Sequence, residues 1–134
     1  MAVLMELSRI LIRELNDYQL IELREVDGER SFPIVIGLPE AQAIERRLKG
    51  MEIKRPQTHE LLASVIEQLG GTLEAIEIHD LSDHTFFARL KIKRGVEALE
   101  VDSRPSDAIA LGVATGAPIY VAEHVLAAAQ QDAA

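Results

Sequence analysis

The chain contains neither cysteine nor tryptophan. Disulfides, thiolate metal sites and a cysteine nucleophile are thereby excluded. Three Phe and two Tyr are its whole aromatic complement, a poor supply of platforms for stacking single-stranded bases. No apolar run approaches the about 20 residues that a membrane helix needs, and Met1 to Met5 is too short for the apolar core of a secretory leader. A soluble, cytoplasmic protein with no membrane partner is expected. The formal net charge of −8 repels polyanions at long range, so nucleic acid would need a local basic patch or a bridging divalent cation. His-Glu-x-x-His, Gly-x-x-x-x-Gly-Lys and Gly-x-Ser-x-Gly do not occur, which sets aside zincin, P-loop and α/β-hydrolase chemistry.

What is present is an internal echo. Offsetting the chain against itself by 66 positions aligns Ile10 with Ile76, Ile12 with Ile78, Leu15 with Leu81 and Asp17 with Asp83. The same offset aligns Val35 with Val101, Pro39 with Pro105, Gly50 with Gly116 and Ile53 with Ile119, and puts Glu14 opposite Asp80. These matches fall at turns and element ends, the mark of two tandem half-domains, about 5–70 and 71–131. No Pro- or Ser-rich linker separates them, so one domain over 1–134 is expected.

Each half reads as three strands, a helix, a short strand and a second helix. Phe86, Ala88, Leu90 and Ile92 alternate with Phe87, Arg89, Lys91 and Lys93, the period of a half-buried antiparallel strand. Helices are expected from Pro39 to Lys49 and from Pro105 to Thr115, each ending at glycine. A third starts with Thr58 as its cap and carries the apolar stripe Leu61, Leu62, Val65, Ile66 and Leu69, and a fourth runs from Ala122 to Ala129. The fold class that follows is α+β, with mostly antiparallel sheets covered by helices.

Polar chemistry concentrates at two helix starts. In Asp102-Ser103-Arg104-Pro105-Ser106-Asp107, Pro105 suits a first turn, Ser106 is a capping residue, Asp107 complements the helix dipole, and Arg104 offers a fork for phosphate or carboxylate. Capping and an Arg104 pair with Asp102 or Asp107 would account for these side chains. Yet the equivalent Gly37-Leu38-Pro39-Glu40-Ala41 builds the same turn without them. In Arg55-Pro56-Gln57-Thr58-His59-Glu60, His59 sits where the dipole disfavours its protonation, so it suits a base or a metal ligand. The alternative is a solvated loop end. His79, Asp80, Asp83 and His84 have the residue types of a metal site, but hairpin-turn chemistry explains them.

Arg55-Pro-x-Thr-His-Glu-Leu-Leu followed by Asp102-x-Arg-Pro-Ser-Asp-Ala-Ile-Ala-Leu, with Pro33-Ile-Val-Ile-Gly and Glu40-Ala-Gln-Ala-Ile upstream, resembles the bifunctional nuclease family over about residues 5–126. The resemblance implies a dimer-forming α+β fold and hydrolysis of DNA and RNA. It marks His59, Asp102 and Asp107 as catalytic, and Arg55, Thr58, Arg104 and Ser106 as substrate-binding. On that reading Asp102 and Asp107 hold a divalent cation such as Mg or Mn, with no organic cofactor. Arg104 or Arg55 neutralises developing charge and His59 handles the proton. Two alternatives stand beside it: a non-catalytic dimeric domain whose Arg–Asp pairs join halves or subunits, and a regulatory domain binding a small anion at two helix N-termini. A solvent-open cleft surrounded by Arg55, His59, Arg104 and Asp107 favours the nuclease, and a closed network favours the structural domain.

Overall fold

The computed structural model describes residues 1–13 and 15–132. Glu14 therefore lies outside the described residues. Three antiparallel strands open the chain, β1 (Ala2–Leu11), β2 (Gln19–Glu25) and β3 (Ser31–Ile36). In β2 and β3 the alternate residues Ile21, Leu23, Phe32, Ile34 and Ile36 enter the core, as strand geometry requires of a sheet with one covered face. Pro33 falls on β3, an edge strand, where a missing N–H is tolerated. Two helices follow, α1 (Leu38–Leu48) and α2 (Thr58–Gln68).

The second half repeats the order with β4 (Gly71–Ser82), β5 (Thr85–Arg94), β6 (Glu97–Ser103), α3 (Pro105–Thr115), β7 (Ile119–Ala122) and α4 (Glu123–Asp132). Ala88 and Leu90 of β5 are buried as the alternation predicts. On the opposite face Arg89 pairs with Glu77 at 2.7 Å, and Lys91 approaches the same carboxylate at 3.6 Å. The hairpin between β4 and β5 is tighter than expected. Residues 79–82 continue β4, and only Asp83 and His84 make the turn, both at positive φ (51° and 63°). Two such residues are the signature of a turn whose twist matches the flanking strands.

All strands join one sheet in the order β3-β2-β1-β7-β4-β5-β6. β7 runs antiparallel to β1 and parallel to β4, so it stitches the two halves together. The short strand expected near Ile53 in the first half is absent from the described residues: 49–57 form an irregular connection. The reason is topological. β1 is already flanked by β2 and β7, and β4 by β7 and β5, so neither has a free edge for a second short strand. The sheet curls far enough that Phe32 of β3 meets Phe86 of β5, with ring centroids 5.4 Å apart.

α3 is the central helix, burying Ser106, Ala108, Ile109, Ala110, Leu111 and Gly112. It packs on α1, on α2 and on the sheet. α2 differs from its sequence reading. Ala63 and Ile66 pack against the core and His59 is buried, whereas Leu61, Leu62, Val65 and Leu69 are exposed. Most of the apolar stripe therefore faces outward. Among the described residues no helix is long and apolar enough to cross a membrane.

Ile76 stands at the centre of this arrangement, fully buried on β4 and paired with Ile119 of β7. Ile76→Ala is expected to destabilise the protein by about 3 kcal/mol through lost burial plus a residual cavity, measured as a lower urea midpoint with an unchanged slope.

Candidate functional site

The two Arg-Pro segments end at helix starts that face each other. In the first, the cap position of α2 is Gln57, whose backbone N–H donates to Glu60 Oε1 at 3.2 Å. Thr58, the expected cap, is instead the first helical residue. His59 comes next and is 8% exposed. In the second, Arg104 occupies the cap position of α3 and Pro105 the first turn, with no side-chain cap among the described residues. Ser106 thus does not cap, because it already lies inside the helix.

Asp107 gathers these elements. Its Oδ1 lies 3.0 Å from His59 Nε2, and its Oδ2 accepts from Arg104 Nε at 3.0 Å and lies 2.9 Å from Nη2. Arg104 Nη2 also reaches Glu40 Oε1 on α1 at 3.4 Å. Of the two expected partners for Arg104, the structure selects Asp107. Partial burial works against ionisation of Asp107, but the hydrogen bonds from His59 and Arg104 prevail and hold its pKa below the usual carboxylate range. Asp107 in turn raises the pKa of Arg104.

The protonation pattern follows. An ionised carboxylate only accepts hydrogen bonds, so His59 Nε2 carries a hydrogen and, in the neutral ring, Nδ1 carries the lone pair. Nδ1 has no hydrogen-bond partner among the described residues, and no side-chain atom sealed from solvent there lacks one. Nδ1 is therefore reached by solvent.

These residues line a cleft of about 460 Å³, with Glu40, Arg46, Thr58, His59, Arg104 and Asp107 among its walls. Arg46 begins a basic stretch, Arg46, Arg47, Lys49, Lys54 and Arg55, that holds 5 of the chain's 14 basic residues. Arg55 is exposed on the loop before α2, outside the lining of the cleft. Asp102 is also outside it, exposed on β6 and paired across the strands with Arg89. Ser106 is buried and lines a different cleft, together with Arg104. Among the described residues no group of three or more His, Asp and Glu converges in the manner of a metal site. Asp80 of the hairpin approaches His124 of α4, at 3.6 Å.

Sequence reasoning missed two residues here. Arg46 had a signal, its place in a basic run. Glu40 complements the dipole of α1, and nothing local shows that Arg104, 64 residues away, reaches it.

The bifunctional nuclease domain profile matches residues 21–134, and the chain belongs to this family. An uncharacterized protein of Mycobacterium tuberculosis is 41% identical over 120 residues, covering 90% of this chain and 71% of that protein. Bifunctional nuclease 2 of Oryza sativa subsp. japonica is 28% identical over 105 residues, 75% of this chain and 32% of the rice protein. Bifunctional nuclease 1 of Oryza sativa subsp. indica is 25% identical over 114 residues, 82% of this chain and 34% of its own length.

The lowered pKa of Asp107 makes its pairing a source of stability at neutral pH. A carboxyl depressed in the folded state contributes fully above its unfolded pKa of about 3.9, and that contribution disappears as pH falls through the folded value. Asp107→Asn is therefore expected to be less stable than wild type at pH 7, with the gap closing below about pH 4. Urea denaturation of both proteins across this range checks it.

Proposed function

We propose that this protein hydrolyses phosphodiester bonds in DNA and RNA at the cleft between α1, α2 and α3. The observation that carries the reading is the His59–Asp107 pair at 3.0 Å, placed on an open cleft beside Arg104 and Arg46. Membership of the bifunctional nuclease domain family supports it. Asp107 holds the His59 ring by Nε2–H and leaves Nδ1 to accept a proton from an attacking water. The new P–O bond forms from that water, the bond to the leaving sugar oxygen breaks, and this oxygen takes its proton from solvent. Arg104 and Arg46 offset charge developing on the non-bridging oxygens. Thr58 lines the same cleft, and in this reading its hydroxyl donates to phosphate.

A divalent cation such as Mg or Mn would add Lewis-acid polarisation of the phosphate. Asp107 would hold it, with Arg104 leaving Oδ2. Arg104 would then turn from the carboxylate to the phosphate.

The same network also connects first-half helices to a second-half helix, which favours a second, structural reading. The two readings part on Arg104, which is 67% exposed and so contributes little to stability as a surface ion pair. His59→Ala and Asp107→Asn are expected to lower cleavage of labelled single- and double-stranded oligonucleotides by at least about 100-fold, with circular dichroism showing both variants folded. Assays in EDTA and in added Mg or Mn measure the dependence on metal. Cleavage unchanged in both variants would leave the structural reading.

The functional unit in this reading is a homodimer. In it the outward stripe of α2, Leu61, Leu62, Val65 and Leu69, packs on its own copy about a twofold axis, as the dimer-forming character of the resemblance suggests. Light scattering after gel filtration should give twice the chain mass for wild type and the single-chain mass for Leu62→Glu/Leu69→Glu.

A further inference from the structure

A second cleft, of about 500 Å³, lies between the end of β3, the β4–β5 turn and the start of α3. Arg104 lines both clefts. We propose that the second cleft holds one nucleotide of the bound strand, with its phosphate at the start of α3 and its base against Tyr18 and Phe86.

Two independent features point to an anion there. The first turn of α3 has no side-chain cap among the described residues, so the N–H groups of Ser106 and Asp107 are available at the positive end of an 11-residue helix. The second feature is Ser106. It is 6% exposed, and its hydroxyl has no hydrogen-bond partner among the described residues, although no side-chain atom sealed from solvent there goes without one. Its Oγ therefore opens onto the cleft that the residue lines. This solvent-open hydroxyl is free to donate to an accepting phosphate oxygen.

The duplication sharpens the contrast. The residue matching Ser106 in the first half is Glu40, whose carboxylate supplies negative charge to the first turn of α1. The second half has a neutral hydroxyl in its place, and the first-turn carboxylate of α3, Asp107, lines the other cleft, where His59 and Arg104 hold it.

The remaining walls suit a base and sugar. Tyr18 is 54% exposed, and the half-buried Phe86 is braced by Phe32. Each aromatic face is a stacking surface. Asp17 and Thr85 also line the cleft, and they match sugar hydroxyls or the donors of a base edge. Because Arg104 lines both clefts, a phosphate at Ser106 and the bond beside His59 are assigned to one strand. This placement rests on the hydrolase reading, whereas binding of the nucleotide does not.

Isothermal titration with adenosine 5′-monophosphate and with inorganic phosphate tests the site. The nucleotide should bind wild type more tightly than phosphate does. Ser106→Ala should weaken both ligands about tenfold, the loss of one hydrogen bond to a charged group, with an unchanged thermal melt. Tyr18→Ala should weaken the nucleotide about tenfold by loss of one stacked base and leave phosphate unaffected. The nucleotide should also compete with oligonucleotide in the cleavage assay. The site is overturned if the nucleotide does not bind wild type at millimolar concentration, or if Ser106→Ala binds it as wild type does. Binding without competition overturns its place on the strand. Ser106-dependent binding with no cleavage of any oligonucleotide overturns the hydrolase reading and leaves the nucleotide site standing.

Discussion

One carboxylate links three helices and orients one of them. Asp107 presents one oxygen to His59 of α2 and the other to Arg104 at the start of α3, and Arg104 extends the chain of contacts to Glu40 of α1. The importance of this link comes from how little apolar surface α2 brings to the body: Ala63 and Ile66 pack inward while its larger side chains face out. A helix docked by so few apolar contacts depends on directional polar ones for its orientation. The same carboxylate that fixes α2 also sets which nitrogen of His59 carries hydrogen, so fold and candidate chemistry share one interaction.

The electrostatics are local rather than global. A chain of net charge −8 repels nucleic acid as a whole, yet charges more than about 10 Å away are largely screened and the nearest groups dominate at a surface. Arg46 lines the cleft, and it, Arg47, Lys54 and Arg55 have no ion pair among the described residues, while Lys49 shares only an exposed pair with Glu45 at 3.6 Å.

The two halves show how a duplicated unit diverges. Their strands and helices follow the same order up to α1 and α3, and Pro39 and Pro105 enter those helices alike. They part where the sheet closes. β7 takes the single slot between β1 and β4, and the first half turns the corresponding residues into the basic connection before α2. Polar specialisation follows the same asymmetry, with Arg104, Ser106 and Asp107 at one helix start and Leu38, Glu40 and Ala41 at the other.

Much of this was legible in one dimension because it depends on short-range regularities. The period-two alternation of β5, the proline entries and glycine exits of α1 and α3, and the clustering of polar residues at Arg104 to Asp107 are local consequences of backbone geometry. His59 and Asp107 could be nominated from residue type and position in a helix. Tertiary structure alone decided which of the nominees meet. Asp102 points along an edge strand and Arg55 lies on an open loop, whereas Glu40 and Arg46 join the cleft. Tertiary structure also turned the apolar stripe of α2 outward, since hydrophobic periodicity defines a face without saying what covers it. Residues 48 and 64 positions apart come together only when β7 closes the sheet and brings α1, α2 and α3 into contact, and no pattern along the chain encodes that approach.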